Sequence, residues 1–87
     1  TLLGLKEGLD KYGIVSEGYE ATLEQIKDLK QPSILHTVQD GKYLHFIVLF
    51  QYINGQFIVF DPGAGSISLT ETELDNIWKS KRLLLVE

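Results

Sequence analysis

The chain has 87 residues, none of them Cys or Met, and eight Lys and Arg against twelve Asp and Glu give a net charge of −4. That length allows one small domain with a thin core, and without Cys these residues hold no disulfide framework, thiolate zinc site, iron–sulfur cluster or cysteine nucleophile. The acidic balance leaves no footprint for nucleic acid, and the one basic cluster, Lys79, Lys81 and Arg82, reads as a solvated helix end.

In chain order, Leu2, Leu5, Leu9 and Tyr12 recur at helical spacing and Gly13 stands where a helix C-terminal glycine belongs. The first helix is therefore predicted over residues 1–12, with Gly4 and Gly8 forming a smooth strip open to close approach. Ile14 to Ala21 reads as a short strand. Thr22 followed by Gln25 fits a capping box, and Leu23, Ile26 and Leu29 give a short helix one apolar face. Gln31-Pro32 ends it, because the residue before Pro is pushed out of the α region.

The rest is strand-rich. Ser33 to Gln39 precedes Asp40-Gly41, a two-residue hairpin signal. Lys42 to Tyr52 is rich in β-branched and aromatic residues, and Asn54-Gly55 turns the chain into a third strand, Gln56 to Asp61, which Pro62-Gly63 ends. Gly63-Ala64-Gly65 is a bend, and Ile67 and Leu69 extend a strand. Thr70 and Glu73 form a second capping box for a helix that turns Leu74, Ile77 and Trp78 inward, and Leu83 to Val86 is a last apolar strand. The pattern is α+β, helices first and then an antiparallel meander. The longest uncharged apolar stretch, Phe46 to Phe60, is broken by Gln51, Asn54, Gly55 and Gln56 and does not span a bilayer as a helix.

Two polar residues interrupt the apolar strands, His45 and Asp61. With a two-residue loop at Asn54-Gly55, Asp61 faces Val48 and is buried without a partner on an apolar face, which costs several kcal/mol. A three-residue loop Ile53–Gly55, with Gly55 left-handed in a G1 bulge, moves the register by one. Leu44, Phe46, Val48, Phe50, Ile58 and Phe60 then make one continuous core face, and His45 and Asp61 become diagonal neighbours on the other. The expectation is therefore a His45–Asp61 hydrogen bond. A His held by an Asp is the orienting half of a nucleophilic triad. It is also, equally simply, two polar side chains satisfying each other at a sheet edge. His36 lies across from His45 if Asp40-Gly41 is a two-residue loop, and two His with an Asp can ligate a metal. No third strong ligand has helpful spacing, so no metal and no cofactor is expected. Glu17, Glu20, Glu24 and Asp28 read as a solvated face.

The runs Gln31-Pro32-Ser33-Ile34-Leu35-His36, Leu44-His45-Phe46-Ile47-Val48-Leu49 and Phe57-Ile58-Val59-Phe60-Asp61-Pro62 resemble the bacteriocin-processing cysteine peptidases, with Asp61 sixteen residues after His45. Leu5 through Gly13, Leu74 to Trp78 and Leu83-Leu84-Leu85 extend the resemblance over nearly the whole sequence. These are papain-like domains of bacterial ABC exporters that cut peptide leaders after a double glycine. The resemblance implies His45 as general base and Asp61 as its orienting partner. It also implies a nucleophilic Cys and an oxyanion-hole Gln upstream of where this sequence starts, since only forty-four residues precede His45. Ser16, Ser33 and Thr37 are not placed as nucleophiles, nor Gln51 as the oxyanion Gln.

Three readings follow. One is the C-terminal part of a leader peptidase domain, incomplete at its N-terminus and inactive alone. The second is a degenerate relative that tethers exported peptide without cutting it. The third is a stand-alone α+β interaction domain whose His–Asp pair is structural. Under the first, the partners are a double-glycine leader peptide, the missing N-terminal segment or a second copy, and the exporter's transmembrane and nucleotide-binding domains. The location is then the cytoplasmic face of the bacterial inner membrane.

Overall fold

The computed structural model describes residues 1–39 and 43–87, and for residues 39, 43 and 44 the backbone alone. Its elements in chain order are α1 (Leu2–Lys11), β1 (Ser16–Glu20), α2 (Leu23–Ile26), β2 (Ser33–Gln39), β3 (Tyr43–Ile53), β4 (Gln56–Asp61), β5 (Gly65–Thr70), α3 (Glu71–Ile77) and β6 (Arg82–Val86). The expected hairpin turn at Asp40-Gly41 lies outside the described residues.

The chemistry of the helix ends is local. The Thr1 hydroxyl accepts from the Gly4 N–H at 3.0 Å, and Gly13 adopts φ +73° past the end of α1, a conformation that favours glycine. Both capping boxes form: Thr22 with Gln25 starts α2 and Thr70 with Glu73 starts α3. Among the described residues the glycine strip on α1 meets no other element: a Cβ at Gly8 would face open space and one at Gly4 would touch only the Thr1 hydroxyl.

All six strands join one sheet in the order β1-β6-β2-β3-β4-β5, every described neighbour pair antiparallel. The expected meander is β2 through β5. The crossover through α3 then returns β6 to lie between β1 and β2. Helices α2 and α3 cover one face. Ile26, Leu74 and Trp78 pack there on Leu35, Ile47, Leu49, Phe57, Val59 and Leu83, each 2% exposed or less. The Lys27 ammonium ties the two helices together, donating to Glu24 and to Glu71 at 2.6 Å each and lying over the Tyr52 ring. Those two carboxylates hold its pKa above the usual lysine value.

The covered face is the opposite of the one expected. Ile47 and Leu49 of β3 are buried, whereas Phe46, Val48 and Ile58 are half-buried and Phe50 and Phe60 are exposed. Both faces of β3 are apolar, so alternation does not choose between them. The choice is made by the helices, whose own apolar residues land on the Ile47 face.

Candidate active site

The hairpin between β3 and β4 decides where Asp61 falls. Asn54 and Gly55 have φ of +53° and +78°, and Ile53 pairs with Gln56. This is a two-residue loop with both central residues left-handed, as a type I′ turn requires. The three-residue loop expected from the sequence does not form. The one-residue offset appears elsewhere: the ladder steps from Gln51↔Ile58 to Leu49↔Val59 and leaves Phe50 unpaired in a β-bulge. Beyond it Val48 pairs with Phe60, so the next residue of β4, Asp61, falls on the face that carries His45 and Ile47.

The two side chains meet. His45 Nε2 lies 2.9 Å from Asp61 Oδ1, with 23% of the His45 side chain and 19% of the Asp61 side chain exposed. The Gly63 N–H donates to the same carboxylate oxygen at 2.7 Å, and the Ala64 N–H donates to the Asp61 carbonyl at 3.1 Å. Asp-Pro-Gly is thus a turn whose first side chain caps its own backbone, a habit of Asp in turns. The His45 contact first, and the Gly63 N–H second, hold the Asp61 carboxyl below its usual 3.8.

An ionised Asp61 accepts, so the neutral His45 ring carries its proton on Nε2 and presents a lone pair at Nδ1. Among the described residues nothing hydrogen-bonds Nδ1. A ring so held can take a proton at Nδ1, with the carboxylate placed to stabilise an imidazolium. Thr37, buried and directly across from His45 on β2, donates its hydroxyl to the His45 carbonyl at 3.0 Å.

His36 is not across from His45, because Thr37 takes that place. His36 points to the other face of the sheet, where its ring stacks on Phe46 at 5.0 Å between centroids, and its buried Nε2 has no hydrogen-bond partner among the described residues. Burial holds its pKa below 6.5. The pair of His and an Asp that a metal would need is therefore not assembled, and among the described residues no three His, Asp or Glu side chains gather as ligands. The Ser33 hydroxyl donates to the Gln31 carbonyl, and Ser16 lies on β1, separated from β3 by β6 and β2. Gln51 is exposed beside the bulge. The Gly63 N–H and the Thr37 hydroxyl were not singled out from the sequence, although Asp61-Pro62-Gly63 carries the turn signal for the first.

The fold is α+β and papain-like. The chain superposes on the peptidase domain of Streptococcus mutans ComA, in a complex with a small-molecule inhibitor, with a TM-score of 0.88 at 22% identity, over 100% of this chain and 74% of that one. It superposes on a double glycine motif protease from an AMS/PCAT transporter, solved with the leader peptide, with a TM-score of 0.83 at 23% identity, over 99% of this chain and 59% of that one. At those identities the likeness fixes the fold alone, and sequence supplies the family: the peptidase C39 family matches residues 1–87, and the chain belongs to it. It is 30% identical over 80 residues to the lactococcin-G-processing and transport ATP-binding protein LagD of Lactococcus lactis subsp. lactis, covering 90% of this chain and 11% of LagD. It is 27% identical over 82 residues to the mesentericin-Y105 transport/processing ATP-binding protein MesD of Leuconostoc mesenteroides, with the same coverage of 90% and 11%. The chain thus spans about a tenth of the length of these curated relatives. No helix among the described residues is long and apolar enough to cross a membrane.

Proposed function

We propose that these residues are the base-bearing part of a cysteine peptidase domain that removes double-glycine leaders from peptides exported by an ABC transporter. One observation carries the reading: the His45–Asp61 hydrogen bond at 2.9 Å, on a carboxylate already fixed by the Gly63 N–H. The processing and transport relatives, and the leader-bound relative of like fold, support the substrate class.

In this reading His45 Nδ1 takes the proton of a cysteine thiol. None of the 87 residues is Cys, so that thiol comes from chain outside them. The thiolate attacks the carbonyl carbon of the second glycine, and the imidazolium returns its proton to the leaving amine as the C–N bond breaks. Water then attacks the thioester, His45 takes its proton, and the thiol is restored with the leader acid released. Asp61 remains ionised throughout and holds the imidazolium in place. The 87 residues alone cleave nothing. The domain works at the cytoplasmic face of the membrane, beside the exporter's transmembrane and nucleotide-binding domains.

The experiment uses the full natural protein that contains this sequence, a synthetic peptide with a double-glycine leader, and mass spectrometry of the products. Cleavage after the second glycine is expected, falling on the order of 10²–10⁴-fold in His45→Ala. Undiminished cleavage by His45→Ala overturns the reading. Saturable binding of the peptide without turnover replaces it with a tethering role.

A further inference from the structure

We propose that Thr37 is a positioning residue that holds His45 in line with Asp61 through its hydroxyl. This rests on the reading of His45 and Asp61 as a working pair and adds the element that keeps the pair in register.

The described β3–β4 pairs reach only as far as Val48↔Phe60, and His45 lies three residues further along β3. There the described strand partner of β3 is β2, through Thr37↔His45. The hydrogen bond to Asp61 crosses from this singly paired segment to the last residue of β4. A bond of 2.9 Å weakens steeply as its geometry opens, so a shift of about half an ångström in the β3 backbone matters.

Thr37 supplies a restraint at that point. It is 1% exposed and shares a face with Leu35, Ile47 and His45. A hydroxyl buried in such company costs free energy unless it is hydrogen-bonded, and a Val there would fill the same space without that cost. The hydroxyl is used: Oγ1 donates to the His45 carbonyl at 3.0 Å. It thereby ties β2 to the residue whose ring must reach Asp61, from the side opposite Asp61. Thr37 touches neither ring nitrogen, so it acts only through the placement of His45.

The test uses the 87-residue chain and two NMR readouts: exchange of the His45 Nε2–H with solvent at pH 7, and the titration midpoint of the Asp61 carboxyl. In Thr37→Val, Nε2–H exchange is expected to quicken about tenfold, as a looser bond opens more often. The Asp61 midpoint is expected to rise toward the ordinary carboxylate value as the His45 contact loosens. Thr37→Ser keeps the hydroxyl and both wild-type values. Should Thr37→Val not fold, Thr37→Ala removes the same hydroxyl and carries the same expectation. Wild-type values in the hydroxyl-free variants overturn the proposal, and so does a Ser variant that behaves like Val, because the hydroxyl it keeps would then not be what holds His45. His45→Ala is the separate arm for the pair. If it leaves the Asp61 midpoint unmoved, the pair is not coupled, and that reading falls whatever Thr37 does.

Discussion

Excising Phe50 should leave the candidate site intact, while excising Ile47, three residues away, should dismantle it. Phe50 is the unpaired residue between Gln51↔Ile58 and Leu49↔Val59, and it is 51% exposed. Without it, Leu49 follows directly on Gln51 in the ladder and every other pair keeps its partner. The lost burial is about half that of a full Phe, so about 1 kcal/mol, partly offset by an uninterrupted ladder. Ile47 is 1% exposed. Removing it turns His45 to the other face of the sheet, away from Asp61, and disturbs the core by about 2–5 kcal/mol. Urea unfolding gives the two stabilities, and exchange of the His45 Nε2–H reports whether the ring still donates to a carboxylate. Loss of a protected Nε2–H in the Phe50 deletion, or its survival in the Ile47 deletion, would refute the bulge as the device that sets the register.

Three other outcomes follow from the same geometry. The Asp61 carboxyl is held below 3.8, first by His45, so its contribution to stability is complete above that pH and is lost as the pH falls through the lowered value; Asp61→Asn should remove this acid limb from a denaturation-versus-pH curve. His36 is held below 6.5 by burial, so protonation favours the unfolded chain and stability declines as the pH drops from 6.5 through its lowered value; His36→Phe, which keeps a ring on Phe46, should flatten that slope. Trp78 is fully buried and donates its indole N–H to the Arg82 carbonyl at 2.9 Å. Trp78→Ala should cost about 3–5 kcal/mol by urea unfolding, a large part of the stability of so small a domain.

What the sequence made legible was local or forced by polarity. The capping boxes at Thr22 and Thr70 depend on residues three apart, and both formed. The pairing of His45 with Asp61 was legible because an unpartnered carboxylate on an apolar face is costly, whichever loop avoids it. The means of avoiding it was not legible. Residues 43–53 contain no Gly or Pro to mark a bulge, and Asn54-Gly55 made the tight turn its residues favour. The buried face was misread for a related reason. Phe46, Val48 and Phe50 are as apolar as Ile47 and Leu49, and only the placement of Ile26, Leu74 and Trp78 by distant helices decides between them. Supports made through backbone groups, such as the Gly63 N–H on Asp61, leave only a turn signal in the sequence.

In the proposed reading His45 is a base whose Nε2–H is given to Asp61 and whose Nδ1 is open to a proton. The nitrogen-15 spectrum of the neutral His45 ring in the 87-residue chain tests this. A protonated Nε2 and an unprotonated Nδ1 are expected, with the preference for that tautomer lost in Asp61→Ala. A ring protonated at Nδ1 in the wild-type chain would contradict it.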